Sequence, residues 1–66
     1  MQIATVPELE TLLARLKSEQ HALIDGAACQ DAPIHRADLR SVAELENAIA
    51  AVIALIEERR TPRRSK

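Results

Sequence analysis

The sequence of 66 residues contains no phenylalanine, tyrosine or tryptophan, and only one cysteine and one glycine. Twelve of its 31 apolar residues are alanine, so leucine, isoleucine and valine must supply almost the whole core. A single cysteine excludes an intramolecular disulfide, and together with two histidines it provides few ligands for a structural zinc site. Because a chain this short buries only about 60% of its unfolded surface, we predict one domain that gains stability from copies of itself or from a partner.

Long apolar runs are lacking as well. The longest, Ala48 to Ile56, has nine residues, whereas a membrane-spanning helix needs about 20. No basic residue precedes an apolar run at the N-terminus, so no signal peptide is expected. The lone cysteine fits a reducing cytoplasm.

The formal net charge of −1 conceals two regions of opposite sign. Residues 1–58 hold four basic and ten acidic side chains, a net charge of −6. The last eight residues hold no acid and five basic side chains: Arg59, Arg60, Arg63, Arg64 and Lys66. We predict one domain over residues 1–60 and a flexible basic tail over 61–66, able to contact DNA phosphates or an acidic protein surface. A tail that only solubilises the protein and caps the helix is an equally open alternative.

Apolar periodicity predicts a first helix from about Val6 to Asp25. Its apolar face follows the i, i+3, i+4, i+7 spacing and comprises Leu9, Leu12, Leu13, Leu16, Leu23 and Ile24. Thr5 and Glu8 form a capping box, with Pro7 in the first turn. Gly26 suits the left-handed residue that follows a helix.

A second helix is predicted from Val42 to about Arg60, where Pro62 ends it. Its apolar stripe comprises Val42, Leu45, Ile49, Val52, Ile53 and Ile56. Ser41 and Glu44 form another capping box, and Asp38 is a competing N-cap one turn earlier.

The second helix is apolar on almost all sides between residues 49 and 56, and such a helix is normally covered on several sides. We therefore predict an oligomer or partner face at Ala50, Ala51, Ala54 and Leu55. The simpler alternative is that alanine is a good helix former that tolerates water.

The connecting stretch, Ala27 to Arg40, is ambiguous. Residues 30–33 are typical of a turn, and each flank is long enough for a stub of β-strand, although periodicity slightly favours an irregular loop. The predicted fold class is therefore α+β and mostly α, with two antiparallel helices joined by a short β-hairpin or loop. A plain α-helical hairpin is the alternative.

Groups that could carry chemistry are few. Cys29, His21 and His35 do not have the spacing of a zinc motif, whose paired ligands lie two to five residues apart. The carboxylate pairs lie on predicted helices with no cleft around them, and acid–base catalysis requires a pocket. We predict no catalytic residue, no metal site, no cofactor and no enzymatic activity.

The order of these features resembles a known family. A first helix ends in Leu23-Ile24-Asp25-Gly26, a polar segment with turn signals follows, and the second helix opens with Arg40-Ser41-Val42-Ala43-Glu44-Leu45-Glu46-Asn47-Ala48-Ile49 before an arginine-rich end. This pattern is similar, over nearly the full length, to the small head–tail joining (head completion) proteins of tailed phages typified by the W protein of phage lambda.

The resemblance implies helix, two-stranded hairpin, helix and basic tail, in that order. It also implies a non-enzymatic structural protein that joins the portal end of the phage head to the connector or tail during virion assembly. Such proteins assemble as a ring of copies, with portal and connector or tail proteins as partners and packaged DNA within reach of the tail. The implied location is the virion, after the host cytoplasm.

Two other functions fit the residues alone. A cytoplasmic helical-hairpin adaptor or regulator would act through protein–protein contacts as a small dimer or four-helix bundle. A nucleic-acid-binding accessory protein would make backbone-only, salt-sensitive contacts through the tail, although a body of charge −6 repels the same phosphates.

Overall fold

The computed structural model describes residues 2–61, which form two α-helices joined by a short connection. Helix α1 spans Val6–Cys29 and helix α2 spans Arg36–Arg60. No strand is present between residues 2 and 61. The architecture is therefore the plain α-helical hairpin, and the β-hairpin that the family resemblance implied is wrong for the connecting stretch.

Three contacts between the helices establish the antiparallel arrangement. Arg60, the last residue of α2, forms an ion pair with Glu10 near the start of α1. In the middle of α1, the Gln20 side-chain amide donates to the backbone carbonyl of Val42 at 3.3 Å and to Glu46 Oε1 at 2.9 Å. The direction of the two helices is opposite because residues late in α1 meet residues early in α2.

The start of α1 follows from local sequence. The Thr5 backbone N–H donates to Glu8 Oε1 at 2.8 Å, and the Glu8 backbone N–H donates to Thr5 Oγ1 at 3.3 Å. Pro7 lies in the first turn, where its missing N–H removes no helical hydrogen bond. The predicted capping box and the start at Val6 are confirmed, since these reciprocal bonds satisfy two otherwise unpaired donors.

The end of α1 differs from the prediction. The helix continues past Asp25 to Cys29, and Gly26 lies inside it with no left-handed backbone angle. The added turn places Ala27 against the other helix, where it is half-buried. Packing of that turn therefore outweighs the cost of a helical glycine, about 1 kcal/mol relative to alanine.

The start of α2 also differs. The helix begins at Arg36 with His35 as N-cap, and no side chain caps it. Ser41 and Asp38, the two predicted N-caps, both lie within the helix and are half-buried. The irregular connection is correspondingly short, residues 30–35, because the extra turn of each helix packs on its neighbour instead of remaining loop.

Gly26→Ala is expected to raise the free energy of unfolding by about 0.5–1 kcal/mol, because alanine loses less backbone entropy than glycine in a helix. The space for a methyl group exists, since a Cβ at this position would meet no atom within 4 Å. Thermal and urea denaturation followed by circular dichroism measure the change. As a control, Ala22→Gly at an exposed position of the same helix should lower stability by a similar amount. A less stable Gly26→Ala protein would contradict the helical conformation of residue 26.

The core is a single line of contact between the two helices, which we call the seam. Along each helix, the residues covered by the other helix are spaced alternately three and four residues apart. The seam positions, all buried or half-buried, are Val6, Leu9, Leu13, Leu16, Gln20, Leu23 and Ala27 in α1 and Asp38, Val42, Leu45, Ile49, Val52 and Ile56 in α2. This alternation is the heptad repeat of a coiled coil, whose average spacing of 3.5 residues keeps one edge of each helix on its partner. Leu9, Ile49 and Ile56 are the most deeply buried apolar residues, each 6% exposed.

Three residues of the predicted apolar faces lie beside the seam. Leu12, Ile24 and Ile53 are 38%, 45% and 37% exposed. An i, i+3, i+4 stripe is wider than the edge that one neighbouring helix can cover. The hairpin therefore has one layer of packing between its helices and leaves part of each predicted apolar face open.

Candidate functional site

The residues with potential chemistry do not converge. Cys29, His21 and His35 are all solvent-exposed. Within the described part of the chain, no three histidine, cysteine, aspartate or glutamate side chains are grouped so that they could hold a metal ion. Neither α1 nor α2 is long and apolar enough to cross a membrane.

The two arginines at the end of α2 contact the start of α1. Arg59 Nη1 donates to the backbone carbonyl of Ala4 at 2.6 Å, and Arg60 pairs with Glu10. The Arg60 and Glu10 side chains are 59% and 46% exposed, and an ion pair so accessible contributes about 0–1 kcal/mol. Both arginines thus help to close the open end of the hairpin. The other predicted tail contacts, Arg63, Arg64 and Lys66, lie outside the described residues.

The predicted oligomer or partner face is only partly open. Ala50, Ala51 and Ala54 are exposed on α2, whereas Leu55 is half-buried beside the seam. The three alanines offer a shallow surface with no charged atom of their own. Their role in binding remains a prediction.

A more apolar surface lies where both helices meet the connection. We call it the tip patch and define it by Ile24, Ile34 and Leu39, which are 45%, 50% and 53% exposed. They line an open cavity of about 260 Å³ together with Leu23, Ala27, Ala28, Asp38 and Val42. The tip patch is apolar surface that association with another protein would remove from water.

Sequence reasoning missed Ile34 and Leu39 because both were assigned to the connecting stretch. The available signal was spacing, since Leu39 lies three residues before Val42 and extends the helical periodicity backwards by one turn. Only the early start of α2 places Leu39 beside Ile24.

Gln20 is a further position that sequence reasoning missed. It is only 8% exposed and is the one buried polar residue between residues 2 and 61. Its spacing to Leu16 and Leu23 is four and three residues, so it occupies a seam position. A buried polar residue on a coiled-coil seam specifies register at some cost in stability, and here the two hydrogen bonds of Gln20 join the helices at mid-length.

Comparisons of the chain with protein-family profiles, with characterised proteins and with solved structures give no match.

Proposed function

We propose that this protein is a non-enzymatic assembly module that joins other proteins through the outer surfaces of its helical hairpin. One observation carries the proposal: among residues 2–61, six large apolar side chains are exposed, while three apolar residues are buried. Apolar groups left on the surface favour association because covering them removes apolar area from water, worth about 25 cal/mol per Å². The module acts through shape and contact, without a catalytic step.

Within this class, we propose head–tail joining in a tailed phage as the specific role. Portal and connector or tail proteins are the partners, copies of the chain form a ring in the virion, and the protein resides in the host cytoplasm before assembly. The order of sequence features and the arginine-rich end support this role. The irregular connection of residues 30–35 has no counterpart of that family's β-hairpin, which instead favours a second candidate, a helical-hairpin adaptor unrelated to phage particles.

Affinity capture of the tagged chain from its native lysate, with mass spectrometry of the recovered proteins, tests these roles. Portal or connector proteins among the captured partners support head–tail joining, and other cellular proteins support the adaptor. Ala51→Glu with Ala54→Glu is expected to abolish capture by charging the predicted partner face. Ala22→Glu, at an exposed alanine of α1, is the matched control. Failure of the wild-type chain to capture any partner contradicts both roles.

The basic residues are expected to separate into two groups. Replacing Arg63, Arg64 and Lys66 by glutamine should change the free energy of unfolding by less than about 0.5 kcal/mol. The same variant should reduce partner capture most at low salt, because rising salt already screens these contacts in the wild-type chain. Replacing Arg59 and Arg60 should instead lower the melting temperature by loosening the contacts with Ala4 and Glu10.

Both variants are measured by thermal denaturation and by capture at 50 and 150 mM salt. If the variant with glutamine at positions 63, 64 and 66 captures partners as well as the wild-type chain does, a contact role for the tail is contradicted.

A further inference from the structure

We propose that two copies of this chain associate side by side and in the same direction, as a two-fold symmetric four-helix bundle, through one broad face of the hairpin. The inference goes beyond the proposed function and does not depend on it. The broad face is defined by Ala14, Lys17, Ile24, Leu39, Ala43, Glu46, Ala50 and Ile53.

The coiled-coil repeat places these residues on one side of the seam. Every seventh residue of such a helix has the same orientation. The row flanking the seam is Glu10, Lys17 and Ile24 in α1, and Leu39, Glu46, Ile53 and Arg60 in α2. Both rows lie on the same side, because Arg60 contacts Glu10 at one end and Ile24 lines a cavity with Leu39 at the other.

The composition of the broad face suits burial against another protein. Its large side chains, Ile24, Leu39 and Ile53, are 45%, 53% and 37% exposed. Small residues, Ala14, Ala43 and Ala50, lie exposed on the same face, together with the charged Lys17 and Glu46; His21 and Glu57 continue the rows of small residues at seven-residue spacing. Small residues let a facing helix approach closely, so the larger side chains can pack into the spaces between turns.

The size of the broad face matches a second copy. Helices of 24 and 25 residues at about 1.5 Å per residue are about 36 Å long, and two helices are about 20 Å wide. The projected area is therefore about 700 Å², close to the roughly 800 Å² that each partner buries in a standard interface. Association on this face would pack the two helices of one copy on the two helices of the other and so form the core of a four-helix bundle.

The charges of the broad face complement each other across a parallel two-fold axis. Lys17 has no ion pair within residues 2–61, where the only pair joins Arg60 and Glu10. Gln20, three residues from Lys17, contacts Glu46, so Lys17 and Glu46 lie at heights that differ by about one helical turn.

The direction of the second copy follows from these heights. A two-fold axis along the hairpin sets α1 of each copy against α2 of the other and keeps every height unchanged. Lys17 then lies about one helical turn from the partner's Glu46, a distance that the long lysine side chain spans, and the pairing occurs twice. Hairpins running in opposite directions would set like helices against each other and would lose both pairs. Charge complementarity therefore selects the parallel arrangement.

Sedimentation equilibrium and native mass spectrometry of the purified full chain test the proposal. The expected particle has twice the 7.3 kDa mass of one chain. Leu39→Glu should raise the dimer dissociation constant at least tenfold. Ile53→Gln should weaken the dimer more than Leu12→Gln, a matched control that is 38% exposed but flanks the seam on the opposite side.

A charge exchange tests the parallel arrangement. Lys17→Glu and Glu46→Lys should each weaken the dimer, and the double variant should recover at least part of the lost affinity. Circular dichroism establishes that each variant is folded. The proposal is overturned by a chain that stays monomeric up to about 1 mM, by a dimer insensitive to Leu39→Glu, or by a double variant no better than either single one. A monomer whose broad face instead captures a different protein also overturns it, and that outcome leaves the proposed assembly role standing.

Discussion

Leu9→Ala is expected to lower the free energy of unfolding by about 2–3 kcal/mol, the typical cost of truncating a buried leucine. Leu9 is 6% exposed and lies on the seam one turn after Val6. Total stabilities of small domains are only about 5 kcal/mol or less. The substitution should therefore populate unfolded chains at room temperature, as measured by urea denaturation and by the helical signal at low denaturant.

Leu12→Ala provides a closely matched control. Leu12 has the same side chain, lies one turn further along α1, and is 38% exposed, so its truncation should cost less than about 1 kcal/mol. Equal losses for the two variants would contradict a narrow seam and would mean that both leucines are covered alike. Neither leucine lies on the proposed dimer face, which keeps the comparison free of association.

Gln20→Leu is expected to stabilise the hairpin by about 1–3 kcal/mol, because an apolar side chain on the seam buries more apolar area than glutamine. Removing the amide leaves neither of its acceptors without a hydrogen-bond partner. Glu46 is exposed to water, and the Val42 carbonyl lies within a helix, where it can accept a backbone hydrogen bond. Gln20→Ala should instead destabilise by about 1–2 kcal/mol, since it removes the hydrogen bonds and the packed methylenes together.

The gain in stability should come with a loss of specificity. Without the bonds from Gln20 to Val42 and Glu46, only the exposed contacts of Arg59 and Arg60 at the open end oppose a one-heptad slip of one helix along the other. Amide hydrogen exchange and the dispersion of the NMR spectrum would report several interconverting registers in Gln20→Leu. The control is Ser18→Leu, at an exposed position two residues earlier. It should change the free energy of unfolding by less than about 0.5 kcal/mol and leave the spectral dispersion unchanged. A uniquely folded Gln20→Leu protein with unchanged exchange would show that register is set elsewhere.

The elements that local sequence could determine are the two helices and their outer ends. The Thr5 and Glu8 bonds lie within one turn, so the start of α1 depends on no other part of the chain. The apolar spacing along each helix likewise requires a covered face wherever the helix packs. These features predicted two antiparallel helices and an end near Arg60, as the structure has them.

The tertiary structure decided where the helices end internally and which apolar residues are covered. Gly26 and Ser41 carry the local signals of a helix end and a helix start, yet both lie within helices because the neighbouring helix is there to pack against. Leu9 and Leu12 fit the same periodic pattern, and so do Ile49 and Ile53. Only one of each pair lies on the seam.

The sequence by itself therefore determined the helical class, the capped start of α1 and the separation of an acidic body from a basic end. The narrow seam, the buried position of Gln20 and the pairing of Ile24 with Leu39 at the tip arose only from the contact between the helices. Periodicity shows that a helix face is apolar but not how much of its width the neighbouring helix covers. That width depends on the distance and angle to a helix many residues away in the chain.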